Sequence, residues 1–130
     1  MSRRPGLKVL VVDDDPIVRQ ALQIRLRGWG HEVLQASDAR SALLRVDREA
    51  PDVVVSDVVL PGLSGLELLR RLKADDETLP VFIATAHAVA EVAADAMRDG
   101  AEVVLAKPLD AGRLQSLLED ALVDRVRESV

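Results

Sequence analysis

The chain has 130 residues, 48% hydrophobic and 30% charged, with a formal net charge of −5: one domain with ample core and no broad surface for phosphate backbones. Cysteine is absent, which excludes disulfide and thiolate chemistry, and the aromatics are only Trp29 and Phe82, too few for stacking nucleobases. No apolar run approaches the ~20 residues of a bilayer span and no signal-peptide pattern opens the chain, so a cytoplasmic location without a membrane is expected.

Residues 7–12, LKVLVV, are continuously apolar, the pattern of a strand buried on both faces. Three aspartates follow, Asp13, Asp14 and Asp15, and then Pro16. Side-by-side carboxylates repel, so a fold gains nothing by gathering them. Asp15 before Pro16 reads as an N-cap and first helical position, which leaves Asp13 and Asp14 to be explained. The helix carries Ile17, Ala21, Leu22, Ile24 or Arg25, and Leu26 at spacings near 3.6, and ends about Gly28 to Gly30. Trp29 is expected to pack over its end, and His31 reads as a turn residue. HEVLQA (31–36) gives a second strand and DARSALLRVDREA (38–50) a second helix.

Pro51 precedes DVVVSD, a third buried strand, and PGLSG (61–65) is a turn cluster before the helix LELLRRLKA. KADDET (73–78) reads as a solvated loop. Pro80 precedes the strand VFIAT, and a helix from about Val89 to Arg98 is closed by Gly100. EVVLAKP is the last strand. The final helix is opened by Asp110, carries a core stripe of Leu114, Leu117, Leu118, Ala121 and Leu122, and runs on through Val126 to Val130. The residues past the stripe read as the start of a connection to something else.

Five strand–helix pairs imply an α/β fold, a parallel sheet with helices on both faces. Ligands of such sheets bind beyond the carboxyl ends of the strands. Those ends carry Asp13 and Asp14, Asp57, Thr85, and Lys107 before Pro108. Three carboxylates can hold a hard divalent cation on oxygen, with one free to form a bond, while the hydroxyl and ammonium can meet an anion. The lysine is notable in a chain with three lysines and 14 arginines, because Lys is a compact point charge and Arg a wide fork. His87, two residues beyond Thr85, lies near the mouth of this site.

VLVVDDDP, DVVVSDVVLPGLSGLELL, FIATAH and GAEVVLAKPLD stand in the order and spacing of one family. In them the whole chain resembles the receiver domain of bacterial two-component response regulators, and its TAH…AMRDGAEVVLAKPLD tail looks most like receivers of nitrogen-regulation-type transcription activators. The resemblance implies a doubly wound, flavodoxin-like sheet of order 2-1-3-4-5, in a domain over residues 7–123. A tail (1–6) precedes it and a helical extension (124–130) follows. It implies that Asp57 accepts a phosphoryl group from a histidine kinase or phosphotransfer protein. Asp13, Asp14, Asp57 and the Val59 backbone carbonyl would hold Mg²⁺, and Thr85 and Lys107 would meet the phosphoryl group. The domain would catalyse its own phosphorylation and dephosphorylation without being a turnover enzyme. It would bind no nucleic acid directly, and could pair as a homodimer through the fourth helix, fifth strand and fifth helix.

Two positions depart from the family pattern. Val104 stands where a switch aromatic is usual, and Leu109 where Phe usually follows Lys-Pro. Two rivals stand beside this reading. One is a pseudo-receiver that only binds partners. The other is a haloacid-dehalogenase-type phosphatase with Asp13 as nucleophile and Asp15 as its second acid, although Pro16-Ile17 stands where that motif has Gly-Thr. A dinucleotide-binding domain fails for want of Gly-x-Gly-x-x-Gly after the first strand.

Overall fold

The computed structural model describes residues 6–128. In chain order its elements are β1 (Lys8–Val12), α1 (Pro16–Gly28), β2 (Glu32–Ala36), α2 (Ala39–Glu49), β3 (Val53–Asp57), α3 (Gly65–Asp75), β4 (Val81–Thr85), α4 (Val89–Arg98), β5 (Val103–Ala106) and α5 (Ala111–Glu128). The strands form one sheet in the order β2-β1-β3-β4-β5, with every neighbouring pair parallel. This is the doubly wound, flavodoxin-like sheet expected from the sequence.

Alternation along each strand explains the unbroken apolar runs. Leu10 and Val12 of β1 face one layer with Ala39 and Ala42 of α2, Leu68, Leu69 and Leu72 of α3 and Ala96 of α4. Val9 and Val11 face the other layer with Leu26 of α1 and Leu114 and Leu118 of α5. Both faces of the sheet are therefore core, and only its edges and ends meet water.

Four of the five helices of the described chain begin on a side-chain cap. Asp15 accepts from the Ile17 N–H (2.9 Å), Asp38 from Ser41 (2.7 Å), Ser64 from Glu67 (3.1 Å) and Asp110 from Arg113 (3.2 Å). The Ser41 backbone hydrogen bond, with a smaller contribution from its side chain, holds the Asp38 carboxyl below the usual carboxylate range. The exception is α4. Ala88 stands at its N-cap in the left-handed region, φ 52°, with no side-chain cap.

Three local expectations change. The buried stripe of α1 is narrower than its spacing implies: Ile17 and Ile24 are 76% and 68% exposed, Leu26 is buried and Leu22 half-buried. Here α1 meets the sheet along a narrow line through Leu22 and Leu26, so its apolar side chains to either side of that line stay in water. His31 is more than a turn residue. It is 4% exposed, and its Nδ1 accepts the Leu7 N–H at 3.0 Å, tying the end of α1 to the start of β1. Residues 73–78 are half helix and half closed turn: Lys73 donates to the carbonyls of Glu77 (2.6 Å) and Leu79 (2.9 Å), and Asp76 accepts from the Thr78 N–H (2.9 Å) and hydroxyl (2.6 Å). The Thr78 hydroxyl, then its N–H, hold the Asp76 carboxyl below its usual range.

Trp29 packs against the core at the end of α1, as expected. At the far end of the chain, Arg125 donates to Asp52 at 3.0 Å, so the last turns of α5 are bonded back to the body. The expected tail and extension fall partly outside the described residues, at positions 1–5 and 129–130. Among the described residues no helix is long and apolar enough to cross a membrane.

Candidate functional site

A parallel sheet delivers the carboxyl ends of its strands to one edge, so residues from three segments far apart in sequence meet there. Asp13 follows the last residue of β1 and is 4% exposed, while Asp14 beside it is open to solvent. Asp57 is the last residue of β3. One carboxylate oxygen from each of Asp13, Asp14 and Asp57 lies within 4.8 Å of the others. Lys107, just beyond β5, donates from Nζ to Asp13 Oδ2 at 2.8 Å and to Asp57 Oδ2 at 3.1 Å. Burial pushes the Lys107 ammonium down, but its hydrogen bonds to Asp13 and Asp57, and then their charges, outweigh that and hold it above its ordinary value. It therefore stays charged at neutral pH.

One ammonium against three carboxylates leaves the cluster with excess negative charge. The donor set is all oxygen and confined to a few ångströms, which suits a hard divalent cation such as Mg²⁺. Val59 adds its N–H to Asp57 Oδ1 at 3.3 Å, and its side chain is exposed. Asp15 does not join the cluster. It caps α1, and its N–H donates to Asp13 Oδ1 at 2.9 Å. The aspartate pair at positions 13 and 15 that the phosphatase alternative requires is therefore not assembled.

Thr85 ends β4 and is 1% exposed. Its hydroxyl donates to the His87 carbonyl at 2.7 Å and accepts from the His87 N–H at 3.3 Å. The hydroxyl is thus engaged by its own loop rather than by the carboxylates. It is the backbone of His87 that acts here; its side chain is exposed. Val104 pairs in register with Ile83 and packs half-buried on the α2–α3–α4 side of the sheet, away from the charged cluster.

Two contributors carried no legible role in the sequence. Arg19 donates from Nη1 to the Asp13 carbonyl at 2.7 Å and from Nε to Gln35 at 3.1 Å, fixing the backbone that presents Asp13. Gly65 sits so close to β3 that a Cβ would come within 2.2 Å of the Asp57 carbonyl oxygen. The PGLSG cluster marked a turn, but not that its last glycine packs beneath the strand end.

The chain matches the family model described as the response regulator receiver domain over residues 9–119. It is 41% identical over 117 residues to the transcriptional regulatory protein ZraR of Escherichia coli K12, an alignment covering 90% of this chain and 26% of that protein. It is 42% identical over 123 residues to the C4-dicarboxylate transport transcriptional regulatory protein DctD of Pseudomonas aeruginosa, covering 95% and 25%. The chain thus spans about a quarter of the length of these curated relatives. Among solved structures, a response regulator receiver domain protein from Clostridium thermocellum superposes with a TM-score of 0.88 at 33% identity, over 95% of this chain and 98% of that one.

Proposed function

The chain belongs to the response regulator receiver domain family, whose members are signalling receivers switched by phosphorylation, and from that premise we propose that Asp57 is its phosphoryl acceptor. The observation that carries this reading is the juxtaposition of Asp13, Asp14 and Asp57 within 4.8 Å, with Lys107 bridging Asp13 and Asp57. The donor is a histidine kinase or a phosphotransfer protein, whose phosphohistidine meets the Asp57 carboxylate in line. Asp13, Asp14, Asp57 and the Val59 carbonyl would hold Mg²⁺, which would offset the negative charge of the approaching phosphoryl group and of the acids around it.

The chain's own residues do the rest. Lys107 remains charged and faces one phosphoryl oxygen, releasing a carboxylate oxygen as it does so. Thr85 exchanges its bond to the His87 carbonyl for one to the phosphoryl group. A complete reversal of a 1:99 population needs about 5.5 kcal/mol of differential interaction, and two charge-assisted contacts supply roughly half of that. The remainder has to come from repacking where His87 lets go, in the loop that opens α4. Val104 has no ring to swing and few rotamers to exchange, so the relay runs through the backbone of this loop and α4 to the α4–β5–α5 face. That face is the candidate for homodimer or partner contact, and residues 124–130 for the connection to an output. The domain acts in the cytoplasm and returns to its resting state by its own hydrolysis of the acyl phosphate, without turnover of an external substrate.

Asp57→Asn tests the assignment. Intact-mass measurement with Mg²⁺ and acetyl phosphate should add one phosphate to the wild type and none to the variant. Equal labelling of both would sink it. Loss of labelling in Asp13→Asn together with turnover of a generic phosphate ester would instead favour the phosphatase alternative.

A further inference from the structure

Between α1 and the loop after β5 a cavity of about 550 Å³ opens directly beside Asp57 and Lys107. Its walls are mostly apolar, with Ile17, Ala21 and Leu22 of α1 on one side and Leu109 on the other. The space has a structural origin. The stripe of α1 that meets the sheet is narrow, Ala21 is small, and Ile17 stands 76% exposed at the rim. Leu109 brings a branched aliphatic chain to the opposite wall and no ring. Apolar surface left in water beside a reactive carboxylate favours an occupant that covers it.

The site constrains that occupant. Its polar end has to suit Asp57 and Lys107, and the rest of it has to be apolar. Resting on the reading of Asp57 as acceptor, we propose that the cavity binds the acyl chain of small acyl-phosphate donors and so favours chains longer than acetyl.

The transfer balances without a further reactant. A carboxylate oxygen of Asp57 forms a bond to phosphorus, the bond from phosphorus to the acyl oxygen breaks, and its electron pair leaves with the carboxylate anion of the donor. No proton or oxidant is needed. The chain-length preference arises because each methylene moved from water to the apolar wall strengthens binding about fourfold when fully buried, and about twofold when half-buried in an open cleft.

Initial labelling rates of the protein with Mg²⁺, followed by intact mass at subsaturating acetyl, propionyl and butyryl phosphate, should rise about two- to fourfold per added methylene. Ala21→Phe, which fills the cavity from α1, should bring the butyryl-to-acetyl ratio close to one, and Leu109→Phe should do the same from the other wall. The ratio is internal to each variant, so a change in overall rate does not obscure it. A flat series in the wild type would overturn the proposal and leave the cavity to an apolar side chain of a protein donor. A ratio untouched by both variants would overturn it too, since the preference would then arise elsewhere. Absence of labelling by every donor would remove the reading of Asp57 as well, whereas acetyl phosphate labelling with no length preference removes this inference alone.

Discussion

Ala50 and Ala88 share a left-handed backbone, φ 48° and 52°, at opposite ends of the sheet. At Ala50 the turn closes α2: the Ala50 N–H donates to the Val46 carbonyl at 3.1 Å, the usual way a helix ends. At Ala88 the same conformation opens α4, where an extended residue with a capping oxygen is the norm, and no side chain accepts from the first turn. The surroundings differ in the same sense. Behind Ala50 polar groups are bonded to one another: Asp52 takes the Lys8 N–H at 2.7 Å and Arg125 at 3.0 Å, and His31 takes the Leu7 N–H. Ahead of Ala88 the Thr85 hydroxyl rests on its own loop, beside carboxylates in excess of their one ammonium. One end of the sheet has its polar needs met internally, and the other has contacts it can exchange. On the proposed reading of Asp57 as acceptor, the switch lies at the second end, where the Thr85 hydroxyl and the Lys107 ammonium already have partners to exchange.

The largest effect should come from Gly65→Ala, which forces a methyl against the Asp57 carbonyl. Backbone cannot yield as a side-chain tip can, so we expect a loss of about 2–3 kcal/mol in urea unfolding, with slower phosphoryl labelling as Asp57 is displaced. Wild-type stability and labelling would show that the tight fit at the acceptor end is not needed.

At the opposite end, His31→Ala leaves the buried Leu7 N–H without its acceptor. This should cost about 1–3 kcal/mol while the labelling rate of the folded protein stays unchanged. A change in labelling at full occupancy of the folded state would break the division between the two ends.

Metal sharpens the contrast. Binding to the folded state alone should raise stability by about 1.4 kcal/mol at Mg²⁺ tenfold above its Kd, and Asp14→Asn should remove much of that gain. Melts in EDTA and in Mg²⁺ read both, and a wild type indifferent to metal would reduce the acids to loop residues.

Asp38 does for α2 what no side chain does for α4. Asp38→Ala should cost about 1 kcal/mol at neutral pH. The folded-state pKa of Asp38 is depressed, so its contribution is present above the ordinary value near 3.8 and is lost as pH falls through the lower folded value. The gap between wild type and variant should therefore close in acid, and a gap that persists there would assign the effect to packing.

The smallest effects are the paired substitutions Ala50→Gly and Ala88→Gly. Each relieves a left-handed alanine at the expense of a more flexible unfolded chain, for a net gain of roughly 0.5 kcal/mol. With beryllofluoride added as a stand-in for the phosphoryl group, we expect amide shift changes over residues 86–105 that only Ala88→Gly alters. Equal behaviour of the pair would show that α4's uncapped start has no part in the response.

Much of this molecule was settled by its sequence. Five apolar runs with helical segments between them allow little besides a parallel sheet with two covered faces, because every run lacks a polar side. Such a sheet gathers its strand ends, so Asp13, Asp14, Asp57 and Lys107 were legible as one site before any coordinate. The caps Asp15 and Asp110 were equally plain, since capping is local chemistry. What the tertiary structure alone decided are matters of distance between segments and of which of several bonds a group makes. His31 read as a turn residue because the N–H it holds is 24 residues away in sequence. Ile17 and Ile24 fall at helical spacing with Leu26, but periodicity gives a helix's apolar side and not how much of it the sheet covers, and both stay exposed. The hydroxyl of Thr85 could be placed at the site from sequence, but its resting bond to His87 could not, because a threonine at a strand end has several acceptors in reach and only the path of the following loop selects one.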